Sequence, residues 1–189
     1  MARDAQATKK RLLVAASEEF AERGIAGARV DRIAALAGSN KAQIYTYFGS
    51  KDALFDAVFD EMVTSTVEEV PIDPQDLPGY AGRLFDYALE HPQQFRLILW
   101  DQLERQGKGV RSAEVQEASS RKSLLISAAQ AEGTIARHVP AELLHQAVSI
   151  LSTQAAFQFS AGFSAESSPE QRAQLRESVV SVARLLSKP

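Results

Sequence analysis

The stretch from Arg29 to Lys51 reads RVDRIAALAGSNKAQIYTYFGSK, and its spacing decides the fold of the N-terminal part of the chain. In its first half, apolar residues recur at the i, i+3, i+4 and i+7 positions of one helix face: Val30, Ile33, Ala34 and Ala37. This spacing predicts a short amphipathic helix. Gly38 can take the left-handed conformation that ends such a helix. Asn40 is a good N-cap, so a second helix is expected after a turn of about three residues, the spacing of a helix-turn-helix.

The second helix of this motif has two different faces. Ile44 and Phe48 fall on one face and are expected to bury against the first helix. The opposite face is short-chained and polar, as a helix inserted into the major groove of DNA requires. It carries Ala42, Gln43 and Thr46, with Tyr45 on one flank. Two alternatives stay open from these residues: Gln43 could complete a capping box with Asn40 instead of reading bases, and the tyrosines could be core residues.

Lys51 lies where a cation is unfavourable unless an anion is close. Ser50 has the character of an N-cap, so Lys51 falls in the first turn of the next helix, where a cation opposes the helix dipole by about 0.3–1 kcal/mol. A DNA phosphate would offset this cost, because helix N-termini and lysine side chains both bind anions.

The charge distribution agrees with a polyanionic partner at one end of the chain. Residues 1–51 contain nine Lys and Arg and five Asp and Glu, a formal charge of +4, whereas the whole chain of 189 residues carries −3. The remainder therefore carries −7. A basic N-terminal quarter on an acidic body is typical of a protein that binds nucleic acid with that quarter only.

Residues 8–60 resemble the DNA-binding domain of TetR-family transcriptional repressors. The matching features are the helix Thr8 to Arg23 with Ala16 and Phe20 inward, Gly24, the run 30–34, Ala37-Gly38, Ile44-Tyr45-x-Tyr47-Phe48 and Ser50-Lys51-x-x-Leu54. The resemblance implies that the second helix of the motif contacts bases and phosphates and that Lys51 binds phosphate. The family usually has Ser or Thr at the position of Arg29, which can bind phosphate but cannot cap. The predicted DNA-binding residues are Arg29, Asn40, Lys41, Ala42, Gln43, Tyr45, Thr46, Tyr47 and Lys51.

Beyond residue 50 the pattern stays helical, so the chain is predicted to be all-α with about nine helices. A helix from Ser50 to about Glu69 precedes the proline-containing segment 70–78, and later helices are expected at Tyr80 to Glu90, Gln93 to Arg105, Ser112 to Glu132, Pro140 to about Phe163 and Pro169 to Leu186. Loops are expected around Gly107 and Gly109 and over Ser164 to Ser168. The predicted domains are a helix-turn-helix domain, residues 1–50, and a helical effector-binding and dimerisation domain, residues 51–189.

The two C-terminal helices are rich in apolar residues. The helix after Pro140 is apolar on nearly all sides and therefore needs burial on nearly all sides. The last helix carries a stripe of apolar residues, Leu175, Val179, Val182, Ala183 and Leu186, with Val180 and Leu185 beside it. We expect one face of this pair to close the core and another to form a homodimer, as it does in the TetR family, and a two-fold dimer suits a pseudo-palindromic operator.

The resemblance also implies a small-molecule effector that binds between the middle helices and releases the protein from DNA. Candidate ligand-binding residues are aromatic and amide side chains: Phe85, Tyr87, Phe95, Trp100, Gln154, Phe157 and Gln158. Aromatic residues on helices are also common in protein cores, so the aromatic residues of this set could be core residues instead of ligand-binding residues. The helix after Ser50 runs through both predicted domains and could transmit the change. The alternative function is a DNA-binding protein whose body serves protein assembly without a ligand.

Several other classes of protein are not favoured by the sequence. The chain has no cysteine, no glycine-rich phosphate loop and no nucleophile elbow, so we expect neither an enzyme nor a cofactor. His138, Glu142 and His145 have a spacing that could hold a metal, but His138 precedes the helix start at Pro140, and no metal site is expected. The N-terminus lacks the apolar stretch of a signal peptide and no apolar run approaches 18 residues, which favours a cytoplasmic protein without membrane contact.

Overall fold

The computed structural model describes residues 2–106, 108–160 and 168–189, and its regular structure is entirely helical. The prediction of about nine helices is confirmed within these ranges. The elements are α1 (Ala2–Gly27), α2 (Val30–Leu36), α3 (Lys41–Phe48), α4 (Lys51–Glu69), a 3₁₀ turn (Pro74–Asp76), α5 (Leu77–Glu90), α6 (Pro92–Arg105), α7 (Ala113–Glu132), α8 (Ala141–Ser160) and α9 (Pro169–Ser187). The predicted end of α8 near Phe163, the loop over 164–167 and Gly107 lie outside the described residues. No described helix has the length and apolar content needed to cross a bilayer.

Contacts within the chain divide it into two compact units. The first unit comprises Met1–Thr64 and Gln93–Ser112, and the second comprises Ser65–Pro92 and Ala113–Pro189. The first unit thus contains α6 as well as the three N-terminal helices, and α4 contributes residues to both units. Each unit has its own apolar core.

The core of the first unit forms where α1, α2, α3 and α4 meet. Leu12, Ala16 and Phe20 on α1 are fully buried, which confirms the inward face predicted for this helix. The ring of Phe20 meets that of Phe55 on α4 edge-on, with centroids 5.1 Å apart. Such edge-to-face pairs add about 0.5–1.5 kcal/mol to the area they bury. The two helices of the helix-turn-helix motif are therefore held by a packed core that includes α1 and α4, and not by α2 and α3 alone.

Gly24 allows α6 to approach α1 closely. Its φ of 74° is non-helical, and it ends the regular part of α1 near the predicted position of Arg23. A Cβ atom there would lie 2.5 Å from Glu104 Oε1 and 3.1 Å from the ring of Trp100. Only glycine fits both the left-handed conformation and the limited space.

Three side chains of α6 bind the backbone of α1. The Glu104 carboxylate accepts hydrogen bonds from the N–H groups of Ile25 (3.2 Å) and Ala26 (2.6 Å). Arg96 Nε and Trp100 Nε1 donate to the carbonyl oxygen of Ala21, at 2.7 and 3.3 Å. These bonds satisfy backbone groups that the kink at Gly24 removes from the helical ladder. They explain why α6, although distant in sequence, belongs to the first unit.

Four charged residues join α6 and the following loop to α4 within the first unit. Arg105 pairs with Asp56 at 2.8 Å, and Arg111 pairs with Asp101 at 2.5 Å and with Asp56 at 3.4 Å. The two guanidinium groups also lie over the rings of Phe55 and Phe59. Asp101 is only 4% exposed, so its pairing with Arg111 offsets part of the cost of burying a carboxylate, although its Oδ1 atom has no hydrogen-bond partner among the described residues.

The second unit is organised around α5, which packs on α8 and α9. Gly82 lets α9 approach closely, since a Cβ atom at this position would lie 3.1 Å from a methyl group of Val180. Asp86 on α5 accepts a hydrogen bond of 2.7 Å from Arg176 Nε on α9. Leu84 and Phe85 are buried in the core between these helices.

The faces of α8 and α9 differ in part from the sequence prediction. The stripe predicted on α9 is buried only in part: Val179 and Ala183 are buried, whereas Val182 is 40% exposed. Val180, predicted beside the stripe, is only 8% exposed. The close packing of α9 at Gly82 of α5 turns Val180 inward. On α8, Leu143 and Ile150 remain 54% and 64% exposed, so this apolar helix is not covered on all sides by its own chain.

Candidate nucleic-acid interface

The turn between α2 and α3 has the geometry that the sequence predicts. Gly38 has a φ of 59°, in the left-handed region, and follows the last turn of α2. The side chain of Asn40 accepts a hydrogen bond of 2.9 Å from the N–H group of Gln43, which confirms Asn40 as the N-cap of α3. Ile44 is fully buried and fixes the inner face of α3 against the core. The opposite face of α3 is directed outward as a consequence.

Glu19 of α1 caps α2 in place of an N-cap side chain. Arg29 is the N-cap residue of α2 but makes no side-chain cap. Instead, the Glu19 carboxylate accepts from the N–H group of Arg29 at 2.9 Å and from Arg32 Nε at 2.8 Å. Burial tends to raise the pKa of this carboxyl, but the hydrogen bonds from Arg32 and Arg29 outweigh it and the pKa is lowered. An ionised Glu19 therefore fixes the start of α2 to α1.

The outer face of α3 is open and short-chained. Ala42, Tyr45 and Thr46 are exposed, and Tyr45 keeps 45% of its accessible surface. The Thr46 hydroxyl donates to the carbonyl oxygen of Ala42 at 2.9 Å, one turn earlier in the helix. This bond uses the hydroxyl proton and leaves an oxygen lone pair and a methyl group facing outward. Such a surface can approach base edges closely.

Gln43 does not complete the capping box. Its side-chain oxygen accepts a hydrogen bond from the hydroxyl group of Ser39 in the turn, so among the described residues it does not return to the N–H group of Asn40. The contact holds the half-buried side chain at the N-terminal end of α3. The amide NH₂ group of Gln43 therefore stays available to donate a hydrogen bond to a base edge.

The aromatic residues of α3 divide between core and surface. Tyr47 and Phe48 are half-buried and pack against the core cluster of the first unit, whereas Tyr45 is exposed. The ammonium group of Lys9 lies 5.7 Å from the ring centroid of Phe48. Phe48 is thus a core-edge residue, as predicted. Tyr47 has a packing role in addition to any contact with DNA.

The two lysines predicted to meet phosphates also have partners within the chain. Lys51 Nζ donates to the carbonyl oxygens of Ala26 and Ala28, both at 3.2 Å. These carbonyls at the end of α1 supply part of the negative potential that we expected from a phosphate. Lys41 Nζ pairs with Asp31 of α2 at 3.3 Å, but both side chains are more than half exposed. Such an exposed pair contributes about 0–1 kcal/mol, so Lys41 can exchange Asp31 for a phosphate at little cost.

Two family models match this chain. "Bacterial regulatory proteins, tetR family" matches residues 12–58, and "Tetracyclin repressor-like, C-terminal domain" matches residues 76–184. The chain belongs to the TetR family of transcriptional regulators. Its resemblance to that family, inferred from the helix-turn-helix motif, is confirmed over most of the sequence.

Individual relatives agree with this assignment. The HTH-type transcriptional repressor SCO4008 of Streptomyces coelicolor is 43% identical over 141 residues, which cover 74% of this chain and 73% of that protein. The repressor NicS of Pseudomonas putida is 32% identical over 70% of this chain and 68% of its own length. Because these relatives regulate transcription and are not enzymes, the expected non-enzymatic role is confirmed.

Solved structures match over nearly the whole chain. The transcriptional regulator SCO4942 of Streptomyces coelicolor has a TM-score of 0.78 and 34% identity, and the match covers 96% of this chain and 98% of that chain. A TetR-family regulator from Shewanella sp. PV-4 has a TM-score of 0.74 at 20% identity, with 96% and 99% covered. The second match shows the fold alone.

The predicted ligand-binding residues belong to both units, and their role stays a prediction. Phe95 and Trp100 lie in the first unit, and the indole of Trp100 binds α1. The others lie in the second unit, where Phe85 and Tyr87 are buried, Gln154 and Phe157 are half-buried and Gln158 is exposed. None of the seven lines the two cavities of the second unit described next.

Two of the cavities in the second unit lie between α7 and a neighbouring segment. One is a groove of about 600 Å³ between α7 and α8, lined in part by Ser123, His145 and Ser149. The other has about 440 Å³ and lies between α7 and the segment around Pro71, with Lys122 in its wall. Both volumes fall in the range of small-molecule sites, about 300–1,000 Å³. No polar residue of α7 is among the ligand-binding residues predicted from the sequence.

Proposed function

We propose that this TetR-family protein represses transcription by binding a pseudo-palindromic operator as a homodimer, with α3 of each copy in the major groove. The observation that carries the proposal is the outer face of α3, where Ala42, Tyr45 and Thr46 are exposed opposite the buried Ile44. The named repressors among its relatives support the direction of regulation.

Each exposed residue of the motif has a role in this proposal. Gln43, positioned by Ser39, offers its amide to a base edge, and Thr46 offers a lone pair and a methyl group. Tyr45 and Tyr47 contact the sugar-phosphate backbone beside the groove. Three positive side chains, Arg29, Lys41 and Lys51, bind phosphates. Asn40 and Ala42 allow the start of α3 to approach the DNA closely.

The homodimer in this proposal uses the uncovered faces of α8 and α9. Leu143, Ala147 and Ile150 are exposed and recur at the i, i+4 and i+7 positions of α8. On α9, Val182 and Leu185 are 40% and 73% exposed and are three residues apart. Two copies of this surface, related by a two-fold axis, would form a four-helix interface that buries all five side chains.

A small molecule bound in the second unit releases the repressor in this proposal. The two cavities along α7 support it, because their volumes of about 600 and 440 Å³ fall in the range of small-molecule sites, about 300–1,000 Å³. The ligand binds best to a conformation in which the two helix-turn-helix motifs of the dimer do not have the spacing of the DNA half-sites. Because ligand binding raises the population of that conformation, it weakens DNA binding. The competing proposal of a ligand-free assembly body is an outcome of the following test.

Selection of bound fragments from random duplex DNA tests the proposal. The purified full-length protein is expected to select two inverted half-sites with centres about 34–36 Å apart or a multiple of that distance. A selected pool without symmetry would contradict the dimeric arrangement, and a pool no different from the input would contradict DNA reading. Co-purified small molecules that lower affinity for the selected duplex would favour the ligand-responsive form over the assembly form.

A further inference from the structure

A lysine is partly buried in the second unit and forms no ion pair with any carboxylate of the described residues. Lys122 on α7 is partly buried, and its Nζ donates a hydrogen bond of 3.4 Å to the hydroxyl of Tyr80 on α5. The ammonium group also lies 5.9 Å from the ring centroid of Tyr80, which is itself 1% exposed. Among the described residues, no Asp or Glu oxygen lies within 4.0 Å of this Nζ. On the side of α5, the ammonium group of Lys122 therefore contacts only the neutral hydroxyl and the ring of Tyr80 among the described residues.

His145 on α8 is a second incomplete polar group in the same interior. Its Nε2 is buried and has no hydrogen-bond partner in the part of the chain that the structure describes. Burial, and secondly the positive charge of Lys122, lower the pKa of His145 to about 4. The imidazole is therefore neutral at physiological pH and does not add a second cation. It also offers Lys122 no negative charge.

An amine in this position is costly for the fold. Burial disfavours the charged form, and accordingly the pKa of Lys122 is lowered. The charged side chains nearest to it in sequence on α7, Glu117 and Arg121, are exposed at the rim of the same cavity, with Glu114 one turn further. On α5, Arg83 adds a further positive charge near Tyr80. Glu114 and Glu117 thus lie on the wall of the cavity, but no carboxylate of the described residues forms an ion pair with Lys122.

The cavity beside Lys122 has mostly apolar walls. Its volume is about 440 Å³. One side comes from Val67, Pro71 and Ile72, and the other from Ala118 and Leu125 of α7. A cation at the edge of an apolar cavity suits a ligand with an anionic head and an apolar body. An aqueous ion would gain nothing from these walls.

We propose that the second unit binds a small organic anion whose charged head pairs with Lys122 and whose apolar part lies against Val67, Ile72 and Leu125. This inference rests on the proposed function in one respect, that the same cavity holds the effector. The head group is a carboxylate or a phosphate, and both would accept hydrogen bonds from the ammonium group. Binding supplies the missing counter-charge, so affinity depends on the ligand's charge more than on its shape.

Matched anionic and neutral probes test this inference on the full-length protein. Octanoate is compared with octanol, benzoate with benzyl alcohol, and phenyl phosphate with phenol, by calorimetric titration. At least one anion is expected to bind about tenfold or more tightly than its neutral counterpart, which corresponds to about 1.4 kcal/mol. If a carboxylate binds more tightly than phenyl phosphate, the head group of the ligand is a carboxylate, and the reverse order indicates a phosphate. Equal affinity within every pair, or no binding of any anion, would overturn the inference.

Variants of Lys122 separate charge recognition from folding. Lys122→Met is expected to abolish the preference for the anion while its melting temperature stays equal or rises, because an apolar chain replaces an uncompensated amine. Lys122→Gln keeps a donor without the charge and should also lose the preference. Lys188→Met, which removes an exposed lysine, is the control and should change neither property. Retained preference in Lys122→Met, or unfolding of both Lys122 variants, would show that Lys122 has a structural role instead.

Affinity for the selected operator is measured in parallel. Anion binding that leaves operator affinity unchanged would support the anion site and contradict its role as an effector site. Normal operator binding without anion binding would contradict the anion site and leave the DNA-reading function intact.

Discussion

The buried charged groups of the two compact units have different partners. In the first unit, the carboxylates of Glu19 and Asp101 are almost fully buried, and each is paired with an arginine. In the second unit, Lys122 is held by a tyrosine hydroxyl at 3.4 Å, and Nε2 of His145 has no partner among the described residues. In the first unit each of these two buried charges is thus neutralised by an arginine, although the Oδ1 atoms of Asp101 and Asp60 have no hydrogen-bond partner among the described residues. In the second unit, Lys122 has no ion pair to a described carboxylate, so a ligand that brings a negative charge would stabilise it.

This difference matches different demands on the two units. The role proposed for the first unit requires α3 in one fixed orientation on DNA, and paired buried charges favour one arrangement over its alternatives. The ligand response proposed for the second unit requires that ligand binding release free energy, and a buried cation without a counter-charge is a group that can supply it. If the two units differ in this way, substitutions in each should have different consequences.

Loss of the exposed apolar surface of the second unit should have the largest effect. Ile150→Glu combined with Leu185→Glu would place charges in the proposed dimer interface, so the protein should become monomeric and lose operator affinity by about 100-fold or more. Sedimentation and operator titration measure both. Leu103→Glu is the matched control, because Leu103 is 72% exposed in the first unit and should tolerate the charge. Dimers in the double variant would contradict the assigned interface.

Removal of the buried carboxylate should weaken the first unit strongly. Glu19→Ala leaves the Arg29 N–H group and the Arg32 guanidinium without their acceptor. The free energy of unfolding should fall by about 2–3 kcal/mol, as expected for hydrogen bonds to a charged group. Urea unfolding of the full-length protein measures the change, with the exposed Glu18→Ala as control. Equal stability of the two variants would mean that Glu19 does not hold α2.

Gln43 and Lys51 should separate base reading from phosphate binding within the first unit. Gln43→Ala should relax the preference at one or two base pairs, by about 1–3 kcal/mol of discrimination. Lys51→Ala should weaken binding to all sequences alike and reduce the salt-dependence slope by about 0.9 per half-site. Fluorescence anisotropy with matched and mismatched duplexes at several salt concentrations measures both. A uniform loss from Gln43→Ala would limit its role to holding the turn.

The titration of His145 should have the smallest effect. Its pKa is about 4 in the folded chain against 6.5 for an ordinary histidine. The unfolded chain therefore binds the proton more readily, and this contribution to stability is present above pH 6.5 and is lost as the pH falls towards 4. His145→Gln should make stability less dependent on pH across this window. An unchanged pH profile would show that His145 is not confined as described.

The local features of the helix-turn-helix could be predicted from sequence. The N-cap at Asn40, the left-handed Gly38 and the burial of Ile44 depend on neighbouring residues and on helical periodicity. Proline and glycine likewise marked the ends of α5 and α7 within a few residues. Such features are encoded within one or two turns of helix, where the sequence pattern is directly informative.

Long-range pairs could not be predicted in this way. Glu19 reads as part of a solvated acidic run, and its cap on α2 depends on how α1 and α2 pack. Trp100 suggested a ligand pocket, but its indole binds a carbonyl 79 residues earlier in the chain. Lys122 lies in a polar helix, and only the packing of α5, α7 and α8 reveals its burial. The periodicity of apolar residues predicts which face of a helix is buried, but it does not predict which other helix packs against that face.

Footprinting of the full-length protein on its selected duplex tests the DNA-reading claim most directly. Two protected stretches of equal length, related by two-fold symmetry and centred about 34–36 Å apart or a multiple of that distance, are the predicted result. Substitution of Thr46 and Gln43 together should remove the protection of major-groove base edges in both stretches. Absence of protection even at low salt, or unchanged protection in that double variant, would contradict the account.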